Sequence, residues 1–200
     1  MRADVAAGIE RVIEAREDLL AEYDALAAAS PAGDYVTGEN EHTLNTPGKW
    51  TWQTAIAKGS PRADFAIAAP RTMAVLAAVP ALLTGGVPFA YAFFSSLRSG
   101  ADIAPHFGPS NTRLRVHVPL RVPAQAGGEG ACLTVAGESR VWRVGEPLIF
   151  DDAFEHAARN HTKEDRLVLL FDLWHPDLSI EERAGVEDMF KLARKEGWLK

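Results

Sequence analysis

The chain has 200 residues, with 21 Lys plus Arg against 27 Asp plus Glu and a formal net charge of −6. That length suits one domain, and 47% apolar residues suffice for a buried core. A single Cys excludes internal disulfides and Cys-rich zinc modules, and the acidic balance argues against nucleic acid as the main partner.

In chain order, Val5, Ile9, Val12, Leu19, Tyr23 and Leu26 recur at helical spacing, which predicts a helix ending before Ser30-Pro31. Its acidic residues and lack of an apolar signal core read as the start of a cytoplasmic protein. Residues 32–61 are polar and rich in Gly, Asn and Thr, and read as a loop carrying Trp50 and Trp52. Two readings of those indoles stand: they pin the loop to the core, or residues 38–57 form a substrate-facing lid. Residues 70–83 predict one or two short helices. The longest apolar run lies there, about eleven residues against the about 20 of a membrane span, so no membrane partner is expected.

After Gly85-Gly86 the texture changes. Short strand-like runs at 88–97, 112–120, 131–135, 139–144, 147–150, 154–160 and 166–174 are separated by Gly and Asp turn signals. Such spacing predicts a sandwich, barrel or jelly roll. Ser179 and Glu182 form a capping-box pattern that opens a last helix. The expected organisation is a helical and loop part (1–84), a jelly-roll core (85–178) and a closing helix (179–200).

One strand is unusual. In residues 112–120, Arg113, Arg115 and His117 share one face, while Leu114, Val116 and Val118 share the other. A half-solvated strand accounts for that pattern. So does a barrel cavity in which the cations meet an anion. His106 and His156 lie at the end of one strand and the start of another, where a jelly roll can join them. Two His plus a carboxylate commonly hold iron, with the carboxylate two residues after the first His; here that position is Gly108. Asp151 and Asp152 shape the turn before His156 or hydrogen-bond near a metal.

The ordered series FSSL (94–97), PHFGPSN (105–111), RLRVHVPL (113–120), VAGE (135–138), Trp142, LIFDDAFEH (148–156), Arg166 and DLWHP (172–176) resembles the aspartyl/asparaginyl β-hydroxylase family. The likeness runs over about residues 85–182 and is weak in front of them. It implies a mainly β fold, a double-stranded β-helix (jelly roll, cupin-like) with N-terminal helices and a C-terminal helix. It also implies an Fe(II)- and 2-oxoglutarate-dependent dioxygenase that uses O2 to hydroxylate an unactivated carbon. Carried over, the catalytic metal ligands are His106 and His156, with Gly108 where other oxygenases place a carboxylate. Arg115 and His117 match the contacts to the 2-oxoglutarate carboxylate next to the keto group, and Arg166 and Ser95 those to the distal one.

An Asp- or Asn-like amino acid, a short peptide or a related small molecule is the expected substrate, with Trp50 and Trp52 as its candidate contacts. A homodimer is compatible with the sequence. The alternatives are a 2-oxoglutarate-dependent halogenase, a non-catalytic jelly roll that binds a small anion, and a zinc hydrolase.

Overall fold

A computed structural model describes residues 3–34, 48–124 and 130–199. The first helical stretch is two helices, α1 (Ala3–Glu14) and α2 (Arg16–Ala29), with a break at Ala15. The break lets Val5, Ile9 and Val12 of α1 and Leu19 and Leu20 of α2 reach one apolar core from two directions. Gly8 lets α1 approach closely: a Cβ there would run into Pro80 and Val79.

The loop expected over residues 32–61 is corrected in its second half. Residues 38–47 and His42 lie outside the described residues, but Trp50–Ala57 is a strand, β1, hydrogen-bonded along β3 (Ala92–Leu97). Strand alternation in WTWQTAIA is masked because Trp50 and Trp52 face one way while Ala55 and Ile56 are packed at its far end. A short strand β2 (Ser60–Pro61) folds back on β1, and Gly59, with a φ of 72°, makes the turn where its backbone meets Gly86 and Val87. Helices α3 (Ala63–Ala68) and α4 (Pro70–Ala77) follow. Pro70 stands at the start of α4, where its missing N–H costs nothing.

The remaining strands are β4 (Ala101–His106), β5 (Arg113–Arg121), β6 (Ala131–Val135), β7 (Glu138–Val141), β8 (Leu148–Phe150), β9 (His156–Asn160) and β10 (Arg166–Trp174). They form two antiparallel sheets, β2-β1-β3-β10-β5-β8 and β4-β9-β6-β7. This is a two-sheet jelly roll, one of the three architectures the turn spacing leaves open and the one the family resemblance implies. The larger sheet has two unlike faces. Phe94, Val116, Val118, Leu167, Leu169 and Phe171 join the helices α1 to α4 in the main core. Phe93, Val168 and Leu170 turn the other way, toward Leu133 and Trp142. Every residue of β10 is buried, which explains its nearly unbroken apolar run.

The closing helix α5 (Ile180–Lys195) starts with the expected capping box. Ser179 Oγ accepts from Glu182 N, and the Glu182 carboxylate accepts from Ser179 N. Val186 and Phe190 pack it against Leu83, Val87 and Trp174.

Candidate active site

The strand β5 settles the choice between solvent and cavity. Its apolar side packs on the helical core, and its polar side faces the opposite sheet: Arg113 is 2% exposed and His117 6%. Neighbouring strands place more polar groups on that inner face. Register sets Arg115 opposite Asp172 and His117 opposite Leu170, while Ser95 lies opposite both Val168 and Trp52.

From the smaller sheet come the two histidines. His106 ends β4 and His156 begins β9, and the two are direct partners across the ladder. Their ring centroids are 4.1 Å apart. Each ring is held by a backbone carbonyl two residues earlier, His106 Nδ1 to Ala104 O at 2.9 Å and His156 Nδ1 to Phe154 O at 3.0 Å. A carbonyl only accepts, so Nδ1 carries a hydrogen in both rings, and the lone pair of each neutral ring lies on Nε2. Burial, together with the charge of His106, pulls the His156 pKa down to about 4. In their neutral forms the two imidazoles present Nε2 lone pairs, which fit a divalent first-row metal.

Among the described residues no third His, Cys, Asp or Glu groups with this pair. Gly108 is closed off from the third role in a specific way. It donates its N–H to Asp152 O at 2.6 Å, and a Cβ added at Gly108 would collide with the Asp152 carboxyl.

The two arginines of the polar strand also have partners within the protein. Arg113 and Arg115 are already compensated by two buried carboxylates. Arg113 donates from Nε to Asp152 Oδ1 at 3.0 Å and from Nη1 to Asp172 Oδ2 at 3.1 Å. Arg115 donates to both oxygens of Asp172, at 2.9 and 3.2 Å, and lies 3.5 Å from Asp152. Asp152 and Asp172 are fully buried. Burial opposes the charge on Arg115, but the two carboxylates outweigh it and its pKa is raised. Burial likewise opposes the charge of Asp152, but Arg115 and Arg113 hold its pKa below the usual range.

Arg166 is different. It is 1% exposed, and its recorded polar partners are Ser95 O at 3.0 Å and Ser95 Oγ at 3.3 Å. Its Nε is buried with no hydrogen-bond partner among the described residues. The guanidinium lies over the Trp142 ring, 4.5 Å from the centroid. Burial pulls its pKa down to about 9, so it remains charged at neutral pH. A buried cation without a carboxylate, aimed at a cavity, is where an anionic ligand compensates charge.

His117 completes the wall. Its Nδ1 accepts from Trp142 Nε1 at 3.3 Å. Burial first, then the charges of Arg166 and Arg115, holds its pKa well below 6.5.

All six side chains carried over from the motifs, His106, His156, Ser95, Arg115, His117 and Arg166, line one inner cavity of about 30 Å³ with Trp50, Leu133 and Phe150. A groove of about 470 Å³ adjoins it, sharing Leu133 and Phe150 as its wall. Trp50 and Trp52 do not form a lid. Trp52 is stacked on Phe93 with centroids 3.9 Å apart, a core contact. Trp50 is in the cavity wall and donates from Nε1 to Ser95 Oγ at 2.9 Å. Asp172 and Trp142 stand among the quoted motifs, but the sequence assigned them no role. A lone Asp in the buried run RLVLLFDLW was the available signal, because such a carboxylate requires a cation.

Of the other histidines, His161 is exposed and bonded to Asp102, and His175 accepts from Asp177 N at the end of β10. Cys132 is buried in β6. No helix among the described residues is long and apolar enough to cross a membrane.

The two-sheet jelly roll thus brings two histidines, a serine and a buried arginine with no recorded carboxylate partner to one cavity. Residues 14–176 match the family model described as aspartyl/asparaginyl beta-hydroxylase, and the chain belongs to that family. The match extends through the front of the chain, where the motifs alone are weak.

It is 32% identical over 163 residues to the human aspartyl/asparaginyl beta-hydroxylase, covering 82% of this chain and 21% of that protein. To the human aspartate beta-hydroxylase domain-containing protein 2 it is 38% identical over 128 residues, covering 62% of this chain and 33% of the relative. The chain thus spans about a fifth to a third of these relatives. Among solved structures, a cupin protein from Bacteroides fragilis aligns with a TM-score of 0.36 at 14% identity, over 45% of this chain and 70% of that one.

Proposed function

We propose that the protein is an Fe(II)- and 2-oxoglutarate-dependent dioxygenase that hydroxylates an Asp- or Asn-like amino acid, short peptide or related small molecule. The observation that carries this reading is Arg166, a buried cation with no carboxylate partner recorded, lining the same cavity as a pair of lone-pair histidines. A dicarboxylate that also chelates a metal satisfies both features with one ligand, and family membership supports the hydroxylase class.

His106 and His156 would hold iron(II) through Nε2. Iron with bound 2-oxoglutarate would supply O2 activation and transfer of one oxygen atom to the substrate carbon. Arg166 and Ser95 bind the distal carboxylate; His117 and Arg115 face the end nearest the metal. The Asp152–Arg113–Asp172–Arg115 network orients Arg115 and ties the turn before His156 to the strand that carries His117.

Trp50, Leu133 and Phe150 exclude water from the charged contacts and so strengthen them. The inner space of about 30 Å³ shares Leu133 and Phe150 with the outer groove, and those two side chains would give way to a ligand larger than it.

The test is aerobic conversion of 2-oxoglutarate to succinate by the full chain with iron(II), across a panel of Asp- and Asn-containing amino acids and peptides. Turnover that is iron-dependent and absent from His106→Ala and His156→Ala is the expected result, with a substrate mass gain of one oxygen. A halogenated product in chloride would replace hydroxylation with halogenation. Binding of 2-oxoglutarate without turnover across the panel would favour a non-catalytic anion carrier.

A further inference from the structure

Two indole N–H groups are directed at the anion wall. Trp142 Nε1 donates to His117 Nδ1 at 3.3 Å, and Trp50 Nε1 donates to Ser95 Oγ at 2.9 Å. An indole N–H can only donate, so each acceptor atom must present a lone pair. For His117 this fixes the tautomer. A neutral imidazole has one hydrogen, and with Nδ1 accepting it resides on Nε2, which has no partner among the described residues. For Ser95 it fixes the rotor. The hydroxyl oxygen accepts from Trp50 and also from Arg166 Nη1 at 3.3 Å, which uses both lone pairs. Its own hydrogen has no acceptor among the described residues.

Both remaining hydrogens belong to side chains that line the inner cavity. Trp142 is fully buried, and its ring also supports the Arg166 guanidinium. The two indoles therefore prepare both ends of the cavity in advance, so that binding need not reorient either donor.

We propose that Trp142 and Trp50 are positioning residues that hold His117 as its Nε2–H tautomer and aim the Ser95 hydroxyl hydrogen into the cavity, which makes the wall selective for ligands that accept hydrogen bonds at both ends. Trp142 acts at the His117 end and Trp50 at the Ser95–Arg166 end. The assignment of those ends to the two carboxylates of 2-oxoglutarate rests on the dioxygenase reading. The lock itself rests only on the geometry.

The test has two arms, with Trp142→Phe and Trp50→Phe in the full chain. The first arm reads the His117 tautomer from its imidazole ¹⁵N shifts in the ligand-free protein near neutral pH. Wild type is expected to show a protonated Nε2 and a bare Nδ1, and Trp142→Phe a mixture of tautomers with Arg166 still covered by a ring. A bare Nε2 in wild type, or an unchanged tautomer in Trp142→Phe, overturns the lock.

The second arm measures binding of 2-oxoglutarate and of 2-oxobutyrate, which lacks the distal carboxylate, to the zinc(II)-loaded chain by calorimetry. Trp50→Phe is expected to weaken 2-oxoglutarate about 5- to 10-fold and leave 2-oxobutyrate unchanged, and Trp142→Phe to weaken both by about the same factor. Equal weakening of both ligands by Trp50→Phe overturns its assignment. Trp50 is only half-buried, so its variant carries this arm even where Trp142→Phe folds poorly. Should wild type bind neither acid, the dioxygenase reading falls, and the tautomer arm still decides the role of Trp142.

Discussion

Arg115 and Arg166 line one cavity from adjacent strands, yet they are held in opposite ways. Arg115 belongs to a four-residue network in which two arginines meet two buried carboxylates. Arg166 rests on an indole ring and a serine. A buried arginine whose charge is matched internally holds a structure together. One whose charge is left unmatched reserves a place for an anion, and part of the molecule's stability is forgone until that anion arrives.

The largest effect should come from breaking the matched side. Arg113→Met leaves Asp152 and Asp172 with one cation between them, and should cost about 3–5 kcal/mol of unfolding free energy, read from urea denaturation. Arg166→Met should behave in reverse. Affinity for 2-oxoglutarate should fall about 100-fold, equivalent to about 2.7 kcal/mol, while stability changes by less than about 1 kcal/mol or rises. Equal destabilisation by the two substitutions would erase the contrast.

A pH titration sharpens it further. Burial depresses His117 and His156 in the folded metal-free chain, His156 to about 4, whereas the unfolded chain titrates both near pH 6.5. Below about pH 6.5 the unfolded state binds protons that the folded state refuses, so stability falls with pH, by about 1.4 kcal/mol per unit for each group. For His156 the loss stops near its folded value of about 4. A urea midpoint that is flat from pH 7 to pH 5 would contradict the dry environment assigned to this wall. The smallest effect lies far from both arginines. Ser179→Ala removes one cap bond of α5, should cost about 1 kcal/mol, and should leave ligand affinity untouched.

What could be read from the sequence follows from the range of each interaction. The alternation of residues 113–118, the short-strand spacing and the Ser179 box are local patterns, and the fold preserves them. The convergence of His106 with His156, and of Ser95 with Arg166, was legible only as an ordered set of motifs, because cross-strand register brings them together.

Three features escaped. Asp172 as the partner of Arg113 and Arg115 depends on the pairing of β10 with β5, which no spacing along the chain reveals. Trp50 read as loop because its strand is preceded by polar residues and shows no clean alternation of burial. The break at Ala15 has no Gly or Pro to announce it and arises from packing two helices on one sheet.

The contact between Gly108 and Asp152 bears on how this protein could change over time. A carboxylate at position 108 would add a third candidate ligand beside His106 and His156, but its first carbon would strike the Asp152 carboxyl. Clearing that space by shrinking Asp152 strips Arg113 of a buried counter-charge, a loss that must be absorbed before the new ligand brings any benefit. Positions 108, 113 and 152 are thus coupled through one buried carboxyl, and fitting a side chain at 108 calls on all three.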